Sequence, residues 1–298
     1  MFDFGRVITA MITPFTPDGA LDLEGARRLA RWLADNGSDG LVVAGTTGES
    51  PTLSREEKLA LLKAVKEAVE ERAVVVAGTG SNHTAGSIEL TQAATAAGAD
   101  AIMLVVPYYN KPTQEGLYEH FAACARATSL PVMLYNVPGR TGTNLLPETV
   151  ERLSAIPNIV AIKEASGNLD QVSEIRRRVP PGFRIYSGDD SLTLPMLALG
   201  AYGVVSVASH LIGRELKAMI EAAVAGRLEE ARKLHLRYFP LFKALFMAPN
   251  PVPVKAALSL LGFPAGKPRL PLVALGSGEE EKLRKVLEEV GLLVQGQR

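Results

Sequence analysis

The stretch "AIMLVVPYYNKP", residues 101–112, runs through aliphatic side chains and then stops in two tyrosines, an asparagine and a lysine. A short apolar run closed by turn residues reads as a strand covered on both faces, the kind found in parallel sheets. The unit repeats in both directions along the chain. "VITAMITP" (7–14), "GLVVAG" (40–45) and "AVVVAGT" (73–79) precede it, and "PVMLYNV" (131–137), "IVAIKEA" (159–165), "RIYSG" (184–188) and "GVVSVAS" (203–209) follow it. The segments between are helical in pattern: over 54–71, Ser54 and Glu57 form a capping box ahead of Leu59, Leu62, Val65 and Val69 at helical spacing. About eight strand-then-helix units in roughly 200 residues match an α/β fold of the (β/α)8 TIM-barrel class.

Beyond about residue 213 the strand pattern stops. Helices are expected over 214–225, 227–248 with a kink at Pro240, 251–261 and 278–291. The reading is a catalytic barrel over 1–225 and a C-terminal helical domain over 226–298, packed together because no low-complexity linker separates them. The 298 residues, 47% of them hydrophobic, supply enough apolar material for one large core. Thirty-two basic and thirty-two acidic residues cancel, and no run of like charge marks a nucleic-acid arm or a membrane patch, so neither partner is expected. Residues 191–213 lack Asp, Glu, Lys and Arg, but Pro195 and "GAYG" (200–203) divide them into a helical and a β-branched piece, against a membrane span. One cysteine, Cys124, and a start without a basic-then-apolar segment point to a cytoplasmic location.

The strand ends carry the chemistry. Polar clusters follow the runs on their C-terminal side: "GTTGES" (45–50), "GTGSN" (78–82), "PYYNKP" (107–112), "YNVPGRTG" (135–142), "KEASG" (163–167), "SGDDS" (187–191) and "VASH" (207–210). That face of a parallel barrel is where active sites are built. Turn and cap chemistry accounts for the small residues but does not call for two tyrosines, a lysine and an arginine.

Alternation along 159–164 sends Ile159, Ala161 and Lys163 to one side and Val160, Ile162 and Glu164 to the other, placing Lys163 inside the barrel mouth with Glu164 turned away. Burial without a paired carboxylate favours the neutral amine, a nucleophile that forms Schiff bases with ketones. From this strand alone, a lysine that extends past the strand end to solvent stands equally open. Schiff-base chemistry moves several protons, and Tyr135, Tyr108, Tyr109, Thr46 and Thr47 at neighbouring strand ends offer hydroxyls. Each of these taken separately also fits a core tyrosine or a threonine-rich turn. Arg140 has the planar fork that suits a substrate carboxylate, although a surface loop arginine is the commoner case.

Other chemistries are weaker. His83, His120, His210 and His235 show no metal-ligand spacing, "GTGSN" lacks the third glycine of a dinucleotide fingerprint, and no P-loop or dedicated phosphate site is present. No cofactor is expected. Asp189 and Asp190 precede a helix, where capping is the simpler role.

From "TPF" (13–15) to "NPVPVK" (250–255), with "GTTGE", "PYYNKP", "YNVPGRTG" and "IKEASG" in that order and spacing, the chain resembles the dihydrodipicolinate synthase family of the pyruvate-dependent class I aldolases. The resemblance implies that Lys163 forms a Schiff base with pyruvate, that Tyr135 donates and accepts protons, that Thr46 and Tyr109 complete a relay and that Thr47 holds the pyruvate carboxylate. It also implies that the main chains at Gly188 and Val205 line the pyruvate pocket, and that Arg140 meets the carboxylate of L-aspartate 4-semialdehyde. In the family Tyr109 reaches in from a neighbouring subunit, implying a homo-oligomer, usually a tetramer. The implied reaction is the committed step towards diaminopimelate and lysine. Related sugar-acid aldolases and N-acetylneuraminate lyase share the lysine and tyrosine but generally lack the arginine, and remain the alternative; a barrel that binds a keto acid without turnover is the other. Ser50, Asn82 and Tyr108 match the family's lysine-effector pattern, whereas Gly86 replaces a glutamate and Lys58 a histidine, so feedback inhibition is expected to be weak or absent.

Overall fold

All eight apolar runs form strands in the computed structural model, which describes residues 2–294: β1 (Val7–Ala10), β2 (Gly40–Val43), β3 (Val74–Gly78), β4 (Ala101–Val105), β5 (Val132–Asn136), β6 (Ile159–Glu164), β7 (Arg184–Ser187) and β8 (Gly203–Ser206). Met1 and the last four residues of the expected 226–298 helical domain lie outside the described residues. Each strand pairs in parallel with the next, and β8 pairs with β1, closing the barrel. Helices α1 (Leu23–Asp35), α2 (Arg55–Val69), α3 (Thr84–Ala96), α4 (Gln114–Arg126), α5 (Pro138–Thr141), α6 (Pro147–Ser154), α7 (Leu169–Arg178), α8 (Thr193–Ala198) and α9 (Ser209–Val224) follow the strands, and α10 (Leu228–Ala244), α11 (Val252–Leu260) and α12 (Ser277–Glu289) complete the chain. This is a TIM barrel with added C-terminal helices.

Side-chain alternation sorts the core into two layers. Ile8, Val42, Val76, Met103, Met133, Ala161 and Val205 fill the barrel, while Val7, Leu41, Val75, Ile102, Leu134, Ile162 and Val204 pack outward against the helices. Tyr186 closes the N-terminal end, where its hydroxyl donates to the Gly5 carbonyl at 2.9 Å beside the buried Phe4. Helix starts are set locally. Ser54 and Glu57 exchange the two bonds of the expected capping box on α2, and Asn168 accepts from the amides of Asp170 and Gln171 at the start of α7.

One detail differs from the sequence reading. Val132 pairs with Ile159 but Met133 pairs with Ala161, so β6 holds one extra residue and bulges at Val160. Ile159 therefore joins the outer layer and Val160 the inner one, and the expected alternation holds only from Ala161 onward. As the expected helix over 227–248 has it, α10 runs from Leu228 through Pro240 to Ala244. Ala231, Tyr238, Leu241 and Phe242 are buried on both sides of the proline, and that packing carries the helix across the missing hydrogen bond. A separate break falls at Ile212 in α9, whose backbone is non-helical (φ −134°, ψ 40°).

The C-terminal helices share the outer apolar layer with the barrel: Leu241, Phe242, Val254, Leu258, Leu283 and Leu287 belong to the same buried cluster as Leu29, Ile185 and Leu216. Residues 191–213 divide into α8, β8 and the start of α9, and among the described residues no helix is long and apolar enough to cross a membrane.

Candidate active site

Lys163 sits on β6 between Tyr135 of β5 and Tyr186 of β7 in register and is 5% exposed. Its Nζ lies 4.1 Å from the centroid of the Tyr135 ring, and among the described residues no carboxylate comes within ion-pair distance of it. Glu164 points outward as alternation requires, accepting hydrogen bonds from Asn136 Nδ2 (3.0 Å), Gln171 Nε2 (3.1 Å) and the Ser166 amide (2.6 Å). The buried amine lies over an aromatic face, its sequence neighbour's carboxylate is engaged elsewhere, and among the described residues no ion pair competes for it. Gly188 makes room for it. A Cβ there would stand 2.6 Å from Ala165 Cβ and 3.2 Å from Lys163 Cε, so a side chain at 188 would force Ala165 to shift and crowd the lysine stem. Val205 is buried in the inner layer on β8.

The loop after β2 is backbone-strained. Ala44 and Glu49 adopt positive φ (54° and 55°), and Tyr109 and Lys111 do the same in the loop after β4 (75° and 46°). Four of the five non-glycine residues in this conformation among the described residues thus lie in the two loops that carry candidate hydroxyls, the pattern expected where function sets the backbone. Thr46 lines the cavity below, whereas Thr47 is buried, its Oγ accepting from Asn250 Nδ2 at 2.8 Å.

A cavity of about 470 Å³ opens at the C-terminal ends of β2–β5. Thr46, Tyr135 and Arg140 share its wall with Ser50, Lys58, Gly86 and Tyr108, whereas Lys163, Thr47, Gly188 and Val205 are not part of that wall. Lys58 is partly buried there, and desolvation lowers its pKa. Arg140, exposed on the single turn of α5 directly after β5, has no ion-pair partner among the described residues. Asn82 lies off this wall, its carbonyl accepting from Asn110 Nδ2 at 2.9 Å. Tyr109 turns away into solvent and is 88% exposed.

Asp189 caps the turn that follows β7 by accepting from the Ser191 amide, as capping predicts, whereas buried Asp190 does not cap the helix it precedes but accepts from the amides of Val207 and Ala208 after β8. Sequence reasoning passed over Glu49, Asn250 and Lys255. Lys255 Nζ lies 2.5 Å from Glu49 Oε1 with both side chains at most 2% exposed, directly under the Thr46–Thr47 turn. The available signal was Lys255 itself, a lysine inside the apolar "VPVKAALSLL" (252–261), the same misfit that drew attention to Lys163.

The profile of the Dihydrodipicolinate synthetase family matches residues 3–290. The chain belongs to the dihydrodipicolinate synthetase family. Relatives include the 4-hydroxy-tetrahydrodipicolinate synthases of Moorella thermoacetica, 60% identical over 290 residues (97% of this chain, 99% of the relative), and Desulforudis audaxviator, 62% identical over 291 residues (98% and 99%). Among solved structures, the Cyanidioschyzon merolae dihydrodipicolinate synthase with lysine bound is 54% identical, with a TM-score of 0.96 over 97% of this chain and 99% of that one. Membership of the dihydrodipicolinate synthetase family extends through the C-terminal helices, so Asn250 and Lys255 fall within the matched span.

Proposed function

We propose that Lys163 makes this chain a 4-hydroxy-tetrahydrodipicolinate synthase, a lyase of the Schiff-base-forming class I aldolase type that condenses pyruvate with L-aspartate 4-semialdehyde. The observation that carries the reading is the buried Lys163 amine, without a carboxylate partner among the described residues, resting over Tyr135 at the mouth of the barrel. The amine adds to the pyruvate ketone, and loss of water gives an iminium. Loss of a methyl proton then gives the enamine, which attacks the aldehyde carbon of the second substrate. Addition of that substrate's amino group to the imine carbon closes the ring and releases Lys163. Tyr135 gives and takes the protons, with Thr46 and Tyr109 as the relay to solvent. Thr47 holds the pyruvate carboxylate, the main chains at Gly188 and Val205 form the pocket wall, and Arg140 receives the carboxylate of the semialdehyde.

An aromatic side chain held in strained backbone yet 88% exposed supports a neighbouring copy closing over Tyr109. The working assembly in this reading is a homo-oligomer, with a tetramer as the family expectation, and sedimentation velocity reads it directly. The C-terminal helices over 226–298 are taken as a helical domain that serves the barrel's site, and a cytoplasmic location fits the single buried cysteine.

Coupling the purified protein to dihydrodipicolinate reductase, with both substrates supplied, tests the activity. Turnover supports the reading, whereas no turnover together with pyruvate release from a 2-keto-3-deoxy sugar acid would assign the chain to the sugar-acid aldolases. Arg140→Ala should raise the KM for the semialdehyde about tenfold or more and leave that for pyruvate within about twofold, the loss expected for one charge-assisted hydrogen-bond pair. Equal effects on both substrates would remove Arg140 from its role.

Feedback by lysine is expected to be weak or absent. At the cavity wall Gly86 offers no carboxylate, and Lys58 with Arg55 adds positive charge where an effector's ammonium would sit, leaving Glu89 as the acid on that wall. Activity unchanged in millimolar L-lysine is the predicted result. Strong inhibition would show that the ammonium finds another anionic partner.

A further inference from the structure

We infer that Asn250 is a positioning residue for the keto-acid carboxylate site: it fixes the direction of the Thr47 hydroxyl proton and so turns that hydroxyl into a donor aimed at the substrate. The inference rests on the assignment of Thr47 to that carboxylate. A hydroxyl has one proton and two acceptor positions, and in an unrestrained threonine the proton rotates to suit its surroundings. Here Asn250 Nδ2 donates to Thr47 Oγ at 2.8 Å, which occupies an acceptor position. The hydroxyl proton is thereby turned away from the amide. A carboxylate arriving at the turn then meets a donor already aligned, with no rotamer to select.

The surroundings hold Asn250 and Thr47 in this relation. Asn250 is 7% exposed and Thr47 is 3% exposed, and among the described residues the asparagine Oδ1 has no hydrogen-bond partner. The turn itself is clamped from the same C-terminal segment and from the loop after β1. Lys255 pairs with Glu49, the Arg269 amide donates to the other Glu49 oxygen at 2.8 Å, and Thr13 Oγ donates to the Gly48 carbonyl at 2.6 Å. A glycine at 78 lets the turn lie against β3, since a Cβ there would stand 2.6 Å from the Ala44 carbonyl oxygen. The buried amide is the point at which this clamp touches a candidate substrate ligand.

A mutant cycle tests it. Asn250→Ala should raise the pyruvate KM about tenfold with kcat at saturating pyruvate within about threefold, and in a Thr47→Val background the same change should raise it less than about twofold, because both act through one hydroxyl. Asn250→Asp keeps the shape but can only accept, so it captures the threonine proton; it should weaken pyruvate at least as much as alanine, and it keeps the test open if the alanine variant does not fold. Equal effects of Asn250→Ala in both backgrounds, no effect in either, or a wild-type pyruvate KM in Asn250→Asp would overturn the inference. A wild-type pyruvate KM in Thr47→Val alone would instead remove the assignment of Thr47 on which it stands.

Discussion

Lys163→Ala lowers kcat/KM by about 10⁴-fold or more while the protein still folds, the scale seen when a covalent nucleophile is deleted. The site offers no substitute. Among the described residues Lys163 is the lysine whose amine rests on Tyr135, and Lys255, the other deeply buried one, is committed to Glu49. Lys163→Arg separates the nucleophile from its charge. A guanidinium keeps the length and the positive charge over the Tyr135 ring but stays protonated and cannot form an imine. Both variants should be equally inactive in the reductase-coupled assay. An arginine variant keeping a tenth of the wild-type rate would mean that the lysine acts as a fixed charge.

The second large effect is on stability. Lys255→Met leaves Glu49 buried and unpaired, which costs about 3–5 kcal/mol. Against the about 5–15 kcal/mol that holds most domains together, that is a substantial fraction, and it lowers the melting temperature by roughly 5–15 °C. Adding Glu49→Gln should recover most of the loss, since replacing both members of a buried pair is often nearly neutral whereas removing one is not. A single variant that melts with the wild type would show that the pair carries no such cost. The variants also report on the site, because Glu49 holds one end of the Thr46–Thr47 turn with φ at 55°.

How far the sequence carries this structure depends on the range of the interaction. The eight strands are legible because each is buried on both faces, and runs such as "AIMLVVP" and "GVVSVAS" have no other stable reading between turn residues. Lys163 and Glu164 are legible by alternation, which survives locally even though the bulge at Val160 upsets it three residues before the lysine. A bulge leaves no mark in the strand's own residues, because it is set by the register of β5.

Asn250 and Lys255 were out of reach for another reason. Asn250 meets Thr47 across 203 positions, and only the folded chain brings the two together. An apolar helix with a lysine in it signals that a buried partner exists, but not that the partner is Glu49. The exposed Tyr109 is the converse case, a residue whose surroundings lie beyond one copy of the chain in the reading given above.

The central claim is a covalent bond between Lys163 and pyruvate. Borohydride reduction of the full-length protein in the presence of pyruvate, followed by peptide mapping, measures it directly. The predicted result is one reduced pyruvyl adduct per chain, located on Lys163 and absent from Lys163→Arg. An unmodified protein, or an adduct on Lys255 or any other lysine, would contradict the account.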